Sequence, residues 1–168
     1  MSSSPAIFQI CVVVHDVHRA NAHWARLLER PEAPVELIFQ GGIQHYTHGE
    51  PVEYVDCQVA KHDLGNFVLE LMQPGPGPSP WRTHLDQHGQ GVFHFCLQVG
   101  ERRIFQQKLA ELGVGLPYHV GYFAQGSYSY VDSRAQLGLE LSVNHSADHE
   151  QLMLDLLSGA VRPFDDMR

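Results

Sequence analysis

Phe93-His94-Phe95-Cys96-Leu97-Gln98-Val99 lines up residue for residue with Phe8-Gln9-Ile10-Cys11-Val12-Val13-Val14, and this pairing decides how the chain is read. Both stretches are rich in apolar, β-branched or aromatic residues and read as strands. Each carries a cysteine, with a polar side chain two residues before it. A second match pairs Leu69-Glu70-Leu71 with Leu139-Glu140-Leu141, so two carboxylates sit between leucines at equivalent places. Gln9 therefore corresponds to His94, and Glu70 to Glu140. Side chains alternate across a strand, so each polar residue points away from the apolar neighbours beside it.

Working outward, the segments between these strands repeat in the same order. Asp16 stands where an N-cap belongs, before a helix expected over about Val17 to Glu29 with Ala20, Trp24, Leu27 and Leu28 on its apolar side. Pro31 and Pro34 end it. Strand-like runs follow at 35–40, 52–60 and 66–72, separated by turns at 41–42, 48–51 and 63–65. Pro74-Gly75-Pro76-Gly77-Pro78-Ser79-Pro80 reads as a stiff connector. Beyond it come a strand at 91–99, a helix from Arg102 to Leu112 closed by Gly113, and strands at about 115–122, 127–131 and 137–143. A last amphipathic helix is expected at about 147–158. The expected organisation is α+β and a single domain over 1–168. It has two βαβββ modules, about 6–73 and 91–144, with a connector over 74–90.

Composition narrows the function classes. The 168 residues are 43% hydrophobic and 18% charged, which suits a folded domain burying about 70% of its unfolded surface. A formal charge of −8 argues against nucleic acid or an anionic membrane as partner, since both need a basic footprint. Three cysteines, at 11, 57 and 96, are odd in number and widely spaced, which speaks against a disulfide framework. The early apolar run Ile7–Val14 is broken by Gln9 and has no basic residues before it, unlike a signal peptide or a membrane span. A cytoplasmic location is expected.

Gln9, Glu70, His94 and Glu140 taken singly read as polar groups on a half-exposed sheet. Their matching in type across the repeat favours a joint role. Two carboxylates, an imidazole and an amide suit one divalent ion such as zinc, cobalt, nickel, manganese or magnesium. Other polar residues read more plainly. His45 and His48 offer two donors without a carboxylate and read as surface polarity. Tyr118 and His119, after Pro117, read as a strand entrance, with substrate contact as the alternative. Cys11 and Cys96 read as small buried apolar residues.

The chain resembles the vicinal oxygen chelate superfamily, which includes glyoxalase I, methylmalonyl-CoA epimerase, extradiol dioxygenases and bleomycin-resistance proteins. The resemblance runs from Ile7 to Asn144. It is carried by Leu69-Glu70-Leu71-Met72-Gln73-Pro74, by His88-Gly89-Gln90-Gly91-Val92-Phe93-His94-Phe95, and by Tyr130-Val131-Asp132-Ser133 leading into Gly138-Leu139-Glu140-Leu141. It implies an open, cupped mixed sheet with helices outside, and a metal in the cup held by Gln9, Glu70, His94 and Glu140. Methylmalonyl-CoA epimerase-like members match best around Gln73-Pro74 and the segment leading into His94. This implies a metal-dependent isomerase or epimerase moving a proton next to a carbonyl or acyl-thioester, with Glu140 as one base and Glu53, or Glu50, as the other. A glyoxalase I-type lyase is the alternative, although Val13 and Pro74 stand where its glutathione anchors belong. A non-catalytic binding or resistance protein is the third reading. The resemblance also implies a homodimer.

Overall fold

The computed structural model describes residues 4–39 and 41–168. Among them are ten strands and five α-helices, so the fold class is α+β as expected. The chain divides into two compact units that interleave in sequence. One comprises Phe8–Gln40 and Tyr54–His94; the other comprises Met1–Ile7, Gly41–Glu53 and Phe95–Arg168.

In the first unit, β1 (Ala6–Val13), β2 (Val35–Leu37), β5 (Gln58–Asp63) and β6 (Val68–Gln73) lie in the order β2-β5-β6-β1. β1 and β6 run parallel, and the other pairs are antiparallel. α1 (Val17–Leu27) begins at the expected N-cap, where Asp16 Oδ1 accepts from the Arg19 amide at 2.9 Å. Its buried side is Val17, Asn21 and Ala25, with Ala20 and Trp24 packed against Leu69 and Leu71. Leu27, expected on that side, is 72% exposed. The stripe follows the 17/21/25 row instead, because Asn21 is drawn inward to bond both the amide and the carbonyl of Ala33.

Residues 80–88 of the expected connector form a helix, α2 (Pro80–His88). Ser79 caps it by accepting from the Arg82 amide at 3.0 Å, and Pro80 occupies the first turn, where a missing N–H costs nothing. Arg82 reaches back to the carbonyls of Pro74 and Gly75, which ties the proline-rich run down.

The second unit holds β8 (His119–Phe123), β9 (Gly126–Val131) and β10 (Glu140–Ser146) as an antiparallel run. Residues 95–99 of β7 (Gly91–Val99) belong to this unit. α3 (Arg102–Glu111), the short α4 (Arg134–Leu137) and α5 (Glu150–Ser158) complete it. The segment read as turns around residues 41–51 is a hairpin, β3 (Gln44–Thr47) and β4 (Glu50–Val52). Its two-residue turn, His48-Gly49, has φ of 54° and 86°, the left-handed pair that fits the strand twist. β3 then pairs with β8, so a piece of the first sequence module extends the sheet of the second unit. The run expected over 52–60 is correspondingly split, and a strand starts only at Gln58.

Candidate functional site

Register sorts the side chains of the second unit onto two faces. Val131, Leu141 and Val143 pack under α3, while Val120, Tyr122 and Tyr46 pack under α5 and the C-terminal turn. Alternating with them, Glu140, Ser142 and Asn144 of β10 share the opposite face with Tyr128 and Tyr130 of β9, His119 and Gly121 of β8, and His45 and Thr47 of β3. That face is polar and aromatic throughout. Tyr130 and His119 stack with centroids 4.9 Å apart, and Thr47 Oγ1 lies 2.9 Å from His119 Nδ1. A Cβ at Gly121 would come 2.4 Å from the Tyr128 ring, so any larger residue there must push that ring aside.

Glu140, at the start of β10, is buried. Its carboxylate accepts from the Tyr118 hydroxyl, and Arg134 Nη2 lies 3.3 Å from its other oxygen. Burial raises the carboxyl pKa above the ordinary value, and the two donors only partly oppose this. The carboxyl is thus easier to protonate than an exposed one.

The other three expected ligands belong to the first unit. Gln9 pairs with Val68 and Cys11 with Glu70, so Gln9 and Glu70 share a face and are diagonal neighbours. Glu70 makes an ion pair with half-exposed Lys61 at 3.4 Å. His94 is buried, and its pKa falls to about 3, first through burial and then through the charge of His84. It is neutral at pH 7, the form that ligates a metal. Among the described residues, no three His, Cys, Asp or Glu side chains group as a metal ion requires. Glu53 is exposed just beyond β4, whereas Glu50 opens β4 directly opposite Thr47, in register with the polar face.

Two plainer readings change. His45 is buried, not surface polarity, and burial lowers its pKa to about 4. Tyr118 and His119 are more than a strand entrance: one holds Glu140 and the other is fully buried on the polar face. Arg134 was missed, and no spacing in the sequence marks it. Tyr128 and Tyr130 could have been found, because Ser127-Tyr128-Ser129-Tyr130 alternates with the period of a strand having one aromatic face. All three cysteines are buried, and none forms a disulfide.

Residues 8–130 match the model of the glyoxalase/bleomycin resistance protein/dioxygenase superfamily. The chain belongs to this superfamily. Among solved structures it is similar to a hypothetical protein from Bacillus halodurans C-125, at 16% identity and a TM-score of 0.58, covering 87% of this chain and 97% of that one. It is also similar to methylmalonyl-CoA epimerase from Mycobacterium tuberculosis, at 15% identity and a TM-score of 0.54, covering 88% and 91%. A Streptomyces coelicolor methylmalonyl-CoA epimerase variant in complex with 2-nitronate-propionyl-CoA gives 17% and 0.57, covering 86% and 96%. At these identities the likeness is one of fold. No curated protein sequence matches this superfamily member. Among its described residues, no helix is long and apolar enough to cross a membrane.

Proposed function

We propose that the protein is a metal-dependent isomerase or epimerase that moves a proton next to the carbonyl of a small molecule or acyl-thioester. The observation that carries this reading is Glu140, a buried carboxylate with a raised pKa, held by Tyr118 and Arg134 on a polar sheet face. Such a group holds its proton more readily than an exposed carboxylate, as a carboxyl that takes and returns a proton requires. Gln9, Glu70, His94 and Glu140 are the residues that would hold the ion, and their donor chemistry fits one: His94 is neutral, and the set supplies one imidazole nitrogen beside carboxylate and amide oxygens. A bound divalent ion supplies positive charge to the oxygen that becomes negative when the proton leaves. The second proton carrier is Glu53 or Glu50, and the register of Glu50 with Thr47 supports the latter. A homodimer belongs to the same reading.

The absence of a three-donor group among the described residues favours a second reading, a binding protein without chemistry. Elemental mass spectrometry of untagged protein separates the two. About one divalent ion per chain, lost in a Glu70→Ala/His94→Ala double variant, supports the enzyme. Exchange of a substrate α-proton with deuterated water should then stop on Glu140→Gln, and persistent exchange overturns the role given to Glu140. No ion after dialysis against zinc, cobalt, nickel or manganese leaves the binding reading.

A further inference from the structure

A cleft of about 640 Å³ lies in the second unit, with Leu116, Pro117 and Phe164 among its walls and the guanidinium groups of Arg162 and Arg168 and the His48 imidazole along it. The C-terminal segment that supplies both arginines lies beyond the residues matched by the superfamily model.

That segment is held in place with unusual thoroughness. Phe164 takes a φ of 73°, a backbone conformation that bulky side chains rarely adopt. Its amide donates to the Tyr122 hydroxyl at 3.0 Å, that hydroxyl donates to Asp166 Oδ1 at 2.6 Å, and buried Arg102 donates to Asp166 Oδ2 at 2.9 Å. Phe164 and Met167 are buried in the cluster around Tyr122. The facing wall is equally fixed: His48 sits in the left-handed turn of the β3–β4 hairpin and donates its amide to the Tyr118 carbonyl at 2.7 Å. Strained residues kept in place by surrounding structure are commonly found where a ligand is held.

Asp165 also lines the cleft: its Oδ2 accepts from the Arg162 backbone amide at 3.2 Å, and its Oδ1 lies 4.0 Å from Arg168 Nε in an exposed, weak pair that a more highly charged anion would displace. Among the described residues, the Arg162 guanidinium has no ion pair. Two guanidinium groups and an imidazole line this one concavity, and guanidinium groups suit a multiply charged oxyanion.

We propose that this cleft binds the phosphate or diphosphate group of a small molecule, with Arg162 and Arg168 as its anchors and the apolar wall taking the adjoining part of the ligand. The inference does not depend on the reaction assigned to Glu140.

Isothermal titration of the full chain with inorganic pyrophosphate, at low ionic strength, tests it. Saturable binding is expected, weakened at least tenfold in Arg162→Gln/Arg168→Gln and unchanged in Arg103→Gln, an exposed arginine on α3. Amide shifts at Gly49 and Tyr118 on titration should place the anion in the cleft. Absence of saturable binding, or equal weakening by the Arg103 variant, overturns the proposal. So does pyrophosphate binding that leaves the Gly49 and Tyr118 amides unmoved.

Discussion

Tyr118 donates its hydroxyl hydrogen to one oxygen of the buried Glu140 carboxylate, while Arg134 Nη2 stands 3.3 Å from the other. Burial pushes the carboxyl pKa up, and these two donors pull it down. Replacing Tyr118 by Phe removes one opposing effect, so the Glu140 carboxyl should titrate higher still. Carbon-13 NMR of the labelled carboxyl reads this directly, and an unchanged or lower value contradicts the assignment. The lost hydrogen bond to a charged group should cost about 1.5–3 kcal/mol in urea unfolding.

The same raised pKa fixes the sign of a stability effect. The folded chain holds the Glu140 proton more tightly than the unfolded chain does, so this group contributes a loss of stability as pH rises through the interval between the two values. In Glu140→Gln that falling component should vanish from a plot of unfolding free energy against pH. An identical pH profile in the variant and the parent rejects it.

His94 and His45 act in the opposite sense. Burial lowers their pKa values to about 3 and about 4, from 6.5. Below pH 6.5 the unfolded chain takes up protons that the folded chain refuses, so stability falls as pH drops toward 4, by about 1.4 kcal/mol per pH unit for each group. Denaturant titrations of the metal-free protein at pH 7, 6 and 5 should show this slope. His94→Gln should remove one proton's share of it.

Strands bearing the expected site were legible because alternation is local: Gln9, Glu70, His94 and Glu140 each stand out from the apolar residues beside them. Both helix caps that rest on one side chain, Asp16 and Ser79, were present in the sequence, but Ser79 was hidden inside a proline-rich run. The β3–β4 hairpin was not legible. Gln44-His45-Tyr46-Thr47 carries no apolar alternation, and its stabilising partner, β8, lies more than seventy residues away. The buried states of His45 and His119 follow from that long-range pairing, as does the meeting of Thr47 with His119. Arg134 reaches Glu140 from α4, a four-residue helix with no periodic signature.

Gly75 offers a test of backbone closeness in the first unit. A Cβ there would lie 1.9 Å from the Val55 carbonyl oxygen, a backbone atom that cannot swing aside. The Gly75 amide also donates to the Cys57 thiol sulfur at 3.4 Å. Gly75→Ala must therefore shift the 55–57 segment and should destabilise by roughly 3 kcal/mol or more. Gly77→Ala, where a Cβ meets nothing within 4 Å, should be close to neutral. Equal thermal shifts for the two variants would show that the close approach does not exist in solution.

Arg102 is 5% exposed and meets one carboxylate, Asp166, with the Ser127 hydroxyl 2.6 Å from the same guanidinium nitrogen. Burial lowers the Arg102 pKa, and the nearby charge of Asp166 is the main effect restoring it. Removing that charge while keeping the shape, as in Asp166→Asn, leaves a buried cation uncompensated and should cost about 3–5 kcal/mol. Replacing both partners is a different experiment, because no charge is then stranded. Arg102→Met/Asp166→Asn should recover a large part of the loss, and the double-mutant cycle in urea measures the coupling. Strict additivity of the two substitutions would mean that the C-terminal segment is not held by this pair. In that case the Phe164 contact with Tyr122 must carry the anchoring, and Tyr122→Phe becomes the damaging change.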